Sequence, residues 1–205
     1  MSAPAHKETA LYLPGVEASP KPGAYATLVA DAKARGVEYS KIWDLFAYQH
    51  DTMIHLGRLS HGILRGPSSI SPALRELIAA YTSYQNECAF CTRAHAAAAA
   101  ELYGDEDLVW TALGDVEHAP LDERTKALLR FVAKVTRHLP EVGRHDVDAL
   151  HAAGWDDDAI YFAITTCALF NFYNRWITAT GVPAMSDEAH HAQGRMLATR
   201  GYARG

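Results

Sequence analysis

Several features are scarce or missing in this sequence, and each absence removes a class of protein. No stretch of about 18 apolar residues occurs, which removes a membrane-spanning helix. The opening MSAPAHKETALYLPG lacks the apolar core of a signal peptide, so the cytoplasm is the expected location. Cysteine occurs only three times in 205 residues, too few for a disulfide framework. Acidic and basic residues interleave at a formal net charge of −5, with no basic stripe for nucleic acid and no polybasic anchor for a membrane surface. Period-two alternation never runs for long, which argues against a sheet.

What is present is a soluble, foldable composition, 49% hydrophobic and 21% charged, on a chain of the size of one domain. Residues 1–23 hold Pro4, Pro14, Pro20 and Pro22 and read as an irregular arm able to wrap a partner subunit. A short helix around Tyr25, Leu28, Val29 and Ala32 should end at Gly36. Two consecutive helices follow, one through Ile42, Leu45 and Phe46 and one from His50 to Leu64, broken by Gly66-Pro67. Ser71-Pro72 is a helix start, because serine caps free N–H groups and proline is tolerated at the first helical position. Asn86 or Glu87 opens the next helix, which runs through the alanines 96–100 to Gly104.

Asp105 can cap a brief helix ending near Leu113, and Leu121 to His138 keeps helical register before Pro140. A short helix over His145–Ala152 and a long one from Asp157 to about Thr180, capped by Asp156 and stopped by Gly181 and Pro183, complete the pattern. The expected fold is all-α, a single-domain multi-helix bundle, divided into an arm and short helix (1–36), a helical core (37–183) and a weakly patterned tail (184–205).

The chemistry concentrates at Cys88-Ala-Phe-Cys91 and His95. On a helix, positions three and four apart share a face, so two thiols and an imidazole line up. The reactive form of cysteine is the thiolate, and its free pKa of about 8.5 calls for local help. A helix N-terminus near Cys88 favours negative charge, and His95 can act as base toward Cys91. A sulfenic acid formed on one cysteine is captured by the other as a disulfide, which an external dithiol reopens. The same Cys-x-x-Cys could be half of a zinc site, with a distant ligand such as His50, His55 or His61. Cys167, in the apolar run AITTCALF, reads as a core thiol. Asn171, Asn174 and Arg175 read as an internal polar or subunit contact. His55 and His61, on the preceding helix, could line the site.

The segment RELIAAYTSYQNECAFCTRAH, Arg75 to His95, resembles the alkylhydroperoxidase AhpD-like group of the carboxymuconolactone decarboxylase superfamily. The shared pattern is a glutamate, eleven residues, then Cys-x-x-Cys-x-x-x-His. Segments WDLFAYQHDTMIHLGRLSHGILRG, LDERTKALLRFVAKVT, AAGWDDDAI and FNFYNRW resemble longer, peroxidase-related members, so the likeness spans about residues 40–183. The resemblance implies an AhpD-like helical bundle that reduces hydroperoxides without metal or organic cofactor. It maps a proton relay and redox centre onto Glu76, Cys88, Cys91 and His95, with Cys91 attacking and Cys88 resolving; helix-end physics alone makes Cys88 the more acidic thiol. It implies a homo-oligomer, a trimer or hexamer, and an external dithiol as reductant. The best-known pattern has a histidine just before the second cysteine, where this sequence has Phe90. Two other readings stay open: a lyase like carboxymuconolactone decarboxylase, and a non-catalytic thiol sensor.

Overall fold

The computed structural model describes residues 11–203, so Pro4 and the rest of the arm up to residue 10 lie outside the described residues. Within them the chain is all helical, with no strand. The order is α1 (Pro14–Ala18), α2 (Ala24–Arg35), α3 (Ile42–Tyr48), α4 (His50–Arg65), α5 (Pro72–Gln85), α6 (Ala89–Tyr103), α7 (Glu106–Gly114), α8 (Glu123–Arg137), a 3-10 turn (Leu139–Glu141), α9 (Arg144–Ala152), α10 (Asp157–Thr180) and α11 (Asp187–Arg200). No helix among the described residues is long and apolar enough to cross a membrane.

Local chemistry sets most of these boundaries. Ser71, Asp105 and Asp156 cap their helices through side-chain oxygens that accept from the N–H groups of Leu74, Leu108 and Ala159. Each such cap stabilises by about 1 kcal/mol relative to alanine. Asp122 caps α8 in the same way, placing its start two residues inside the boundary expected from the apolar pattern.

Helix α5 is the axis of the fold. Every residue from Leu74 to Ser83 is buried, so this helix has no solvent face over that stretch. It packs against α6, α8 and α10, with lesser contact to α4 and α7. On one side Leu77, Ile78, Val109, Leu128, Leu129 and Val132 form the larger core. Fully burying an aliphatic side chain of this size stabilises by about 1.5–3 kcal/mol. On the other side Leu45, Phe46, Leu64, Phe90, Phe170 and Ile177 enclose Cys88 and Cys91.

The two ends of the chain depart from the expected arm and tail. Residues 11–18 pack on their own chain: Leu11 is buried, Tyr12 N–H donates to Thr180 O at 3.0 Å, and Pro14 starts the one-turn helix α1. The 184–205 stretch holds α11, which lies along α6. The approach is close because Gly194 meets the alanine run: a Cβ at Gly194 would stand 2.6 Å from the Cβ of Ala97. Small residues on both helices therefore carry the contact, in place of a large apolar stripe.

Candidate active site

The site is built around the turn between α5 and α6. Helix α6 begins at Ala89, not at Asn86 or Glu87, because the intervening residues close α5. Cys88 N–H donates to Ser83 O and Glu87 N–H to Tyr84 O, each at 3.0 Å, which is the paired closure of a Schellman motif. That motif needs a left-handed residue, and Glu87 supplies it with φ 56°, the one non-glycine residue at positive φ among those described. Cys88 is consequently the N-cap of α6, with its carbonyl accepting from Thr92 N–H at 2.9 Å. It sits just outside the first turn rather than within it.

Asparagines from α10 hold this turn. Asn86 Nδ2 donates to Asn171 Oδ1 and Asn174 Oδ1 at 3.1 and 3.0 Å, while Asn174 Nδ2 donates to Ser83 Oγ at 2.9 Å. Asn174 is also part of the environment of both thiols.

Cys88 and Cys91 are free and buried. The two thiols are pushed in opposite directions. Hydrogen bonding with the Cys91 thiol lowers Cys88 to about 6 against the cost of burial, helped by the Cys91 backbone N–H, Thr178 and Asn174. Burial first, and then the neighbouring Cys88, push Cys91 well above the usual thiol range. The surroundings of the pair thus favour the thiolate on Cys88 and the proton on Cys91. A thiolate absorbance titration at 240 nm is expected to show a midpoint at about 6 that Cys88→Ser abolishes. Because the folded value lies below the unfolded one of about 8.5, this group's contribution to stability is complete above that pH. It declines as the pH falls and is gone below about 6. A denaturant midpoint that does not change over this window in wild type relative to Cys88→Ser would contradict the assignment.

His95 is paired with a fully buried carboxylate. Glu76 Oε2 is 2.8 Å from His95 Nδ1, and its Oε1 accepts from Arg65 Nη2 and from the Tyr202 hydroxyl, both at 2.5 Å. Burial alone would raise the Glu76 pKa; hydrogen bonding and charge from His95, the Arg65 guanidinium and the Tyr202 hydroxyl outweigh it and hold the carboxyl below its ordinary range. An ionised carboxylate only accepts, so His95 Nδ1 carries the hydrogen and Nε2 is the basic nitrogen. The ring is held by an edge contact to Phe170 at 4.3 Å and by near-parallel stacking on Tyr202 at 6.0 Å.

Cys91 and His95 share the wall of a cavity of about 80 Å³, enough for a few water-sized groups. Its lining is mainly apolar, with Trp43, Phe46, Leu64, Phe90, Phe170 and Ile177 among it. Polar points are few and include Ser60 and Tyr173, whose hydroxyls lie 2.7 Å apart, and Gln193. Cys88 and Glu76 are not on that wall.

Of the residues singled out from sequence, Cys88, Cys91, His95 and Glu76 are thus brought together. Cys167 is fully buried in the larger core, 3.3 Å from Thr136 Oγ. His55 is exposed and away from the cavity, while His61 accepts from the Tyr202 N–H at 3.3 Å. Among the described residues no group of three or more His, Cys, Asp or Glu side chains could hold a metal, so Cys88 and Cys91 find no third ligand there. Sequence reasoning missed Arg65 and Tyr202. Arg65 looks like an ordinary basic residue in a last helical turn; Tyr202 is the only Phe, Tyr or Trp in 184–205, which is a faint signal.

Residues 51–109, which contain Glu76, both paired cysteines and His95, match the carboxymuconolactone decarboxylase family. An uncharacterized peroxidase-related protein from Silicibacter sp. TM1040 is similar over 95% of this chain and 100% of its own, with 28% identity and a TM-score of 0.76. A second solved structure, an alkylhydroperoxidase AhpD core, an uncharacterized peroxidase-related protein from Ralstonia eutropha JMP134, shares the fold at 21% identity and a TM-score of 0.74, covering 93% of this chain and 98% of that one. No curated protein matches the chain. The match over the cysteine helix and the end-to-end likeness of the bundle together show homology to the carboxymuconolactone decarboxylase family and to solved peroxidase-related proteins of AhpD-like fold.

Proposed function

We propose that the protein is a thiol-dependent hydroperoxide reductase whose working parts are Cys91, Cys88, His95 and Glu76. The observation that carries this reading is that Cys91 and His95 face one cavity while Glu76 holds Nδ1 of His95. In the first step His95 Nε2 takes the Cys91 proton, and the resulting thiolate attacks the distal oxygen of a hydroperoxide. The O–O bond breaks, Cys91 becomes a sulfenic acid, and the alkoxide leaves as the alcohol with the proton returned from His95. Cys88, already inclined to the thiolate, then displaces hydroxide from the Cys91 sulfur, giving a disulfide and, after protonation, water. A dithiol reduces that disulfide by two exchange steps, its own sulfurs becoming the oxidised pair. No metal or organic cofactor enters these steps.

The apolar lining favours a compact organic hydroperoxide over hydrogen peroxide, since burial of an alkyl or aryl group contributes about 25 cal/mol per Å². Self-assembly belongs to the same reading. Tyr161, Ile164 and Phe172 leave an apolar stripe on the outer face of α10, which suits a second copy of the chain in a homo-oligomer.

Peroxide consumption with dithiothreitol as the probe dithiol tests the proposal. Wild type is expected to turn over cumene hydroperoxide, and His95→Ala to slow the oxidation step by about 10²- to 10⁴-fold, the usual worth of a general base. Absence of turnover with any hydroperoxide, or an unchanged rate in His95→Ala, would count against it.

A further inference from the structure

The polar groups around Glu76 come from three separate stretches of chain, and one of them is the last turn of the described residues. We infer that Tyr202 is a positioning residue of the thiol site: the C-terminal segment delivers a hydroxyl that completes the Glu76–His95 relay and a ring that closes the cavity beside it. This rests on the function proposed above, and extends it to a residue outside the cysteine motif.

Four observations carry the inference. The Tyr202 hydroxyl donates to Glu76 Oε1 at 2.5 Å and lies 3.2 Å from His95 Nδ1, so it touches both members of the relay. Packing alone would be served by phenylalanine; here the hydroxyl is buried against an ionised group. With Arg65 it occupies Oε1 and leaves Oε2 to His95. The ring lies nearly parallel to the imidazole, at 14°, and forms part of the cavity wall next to Met196 and Leu197.

The approach of this segment is built in. Gly201 has φ 66°, and a Cβ there would stand 2.5 Å from His61 Nδ1 and 3.3 Å from Arg65 Cγ, so the chain can pass only as glycine. The next N–H, of Tyr202, donates to His61 Nδ1 at 3.3 Å, which turns the ring inward. Arg65 ties the same end of α11 down by donating to Leu197 O at 2.9 Å, and its guanidinium lies over the Tyr202 ring at 5.3 Å. His61, otherwise without a role, thus orients the tyrosine that orients the relay.

The test compares the full-length wild type, Tyr202→Phe and His61→Ala by two readouts. One is the rate and pH profile of single-turnover thiol oxidation by cumene hydroperoxide. The other is the titration of the Glu76 carboxyl, followed by carbon NMR, which needs no turnover. Tyr202→Phe removes one donor to the carboxylate, so its titration is expected to move up and the acid limb of the rate profile to move with it. The rate near neutral pH is expected to fall about tenfold, the scale of one lost hydrogen bond to a charged group. His61→Ala, which keeps the hydroxyl, should shift both in the same direction and by less. Unchanged Glu76 titration and unchanged pH profile in Tyr202→Phe would overturn the inference. If wild type shows no thiol oxidation, the proposed function fails while the carboxyl titration still decides on Tyr202. Should Tyr202→Phe not fold, the His61→Ala titration decides.

Discussion

Replacing Glu76 with alanine is expected to destabilise the protein by about 3–5 kcal/mol, the cost of removing one partner from a buried charge pair. The reason lies in what remains. Arg65 Nη2 would keep only the carbonyl of Leu197, and the fully buried space left by the carboxylate sits between a guanidinium and an imidazole. For a chain of this length each kcal/mol corresponds to about 2–4 °C in Tm, so thermal unfolding should shift down by roughly 6–20 °C. Glu76→Gln separates charge from volume. It fills the space, but it presents an amide that cannot stabilise a positive imidazole and does not enforce the Nδ1–H tautomer, and the loss of the right tautomer in a comparable His–carboxylate pair costs about 10⁴ in rate. Glu76→Gln should therefore retain more stability than Glu76→Ala while losing at least about 10²-fold in thiol oxidation. A Glu76→Ala protein with unaltered Tm would mean that the carboxylate is not the counter-charge of Arg65 and His95.

Much of this arrangement was legible in the sequence because it is local. Caps at Ser71, Asp105 and Asp156 act within three residues, and the spacing of Cys91 and His95 puts them on one helical face whatever the helix packs against. Glu76 was legible through the resemblance of the motif, since a glutamate among apolar residues could equally face solvent. The rest depends on partners far along the chain. Arg65 meets Glu76 across a turn, and Tyr202 meets it across 126 positions, with no periodic signal to announce either contact. Helix α11 escaped its pattern because Gly194 packs on Ala97, and a helix that docks through small residues carries little apolar periodicity. The start of α6 is hidden from the sequence for a different reason. Glu87 takes a left-handed conformation that glycine usually supplies, so no residue type marked the break. That break makes Cys88 an N-cap and gives the two thiols unlike surroundings.

The unlike surroundings lead to the second large effect. Cys91 is the thiol on the cavity wall, where burial favours its protonated form, and Cys88, off that wall, is the more acidic one. Removing Cys91 should abolish peroxide-dependent oxidation, even though the more acidic thiol remains. Removing Cys88 should leave the first step nearly intact and block the second, so that the sulfenic acid accumulates and proceeds to overoxidised forms. Acidity and access thus predict opposite phenotypes: attack by the more acidic thiol would make Cys88→Ser the dead variant.

Intact-mass analysis after one equivalent of cumene hydroperoxide, in wild type, Cys88→Ser and Cys91→Ser, separates these cases directly. Wild type is expected to lose two hydrogens as the Cys88–Cys91 disulfide forms, Cys88→Ser to gain one oxygen on Cys91, and Cys91→Ser to stay unchanged. Wild type that keeps both thiols reduced, or an oxygen gained on Cys88 in Cys91→Ser at the wild-type rate, would contradict it.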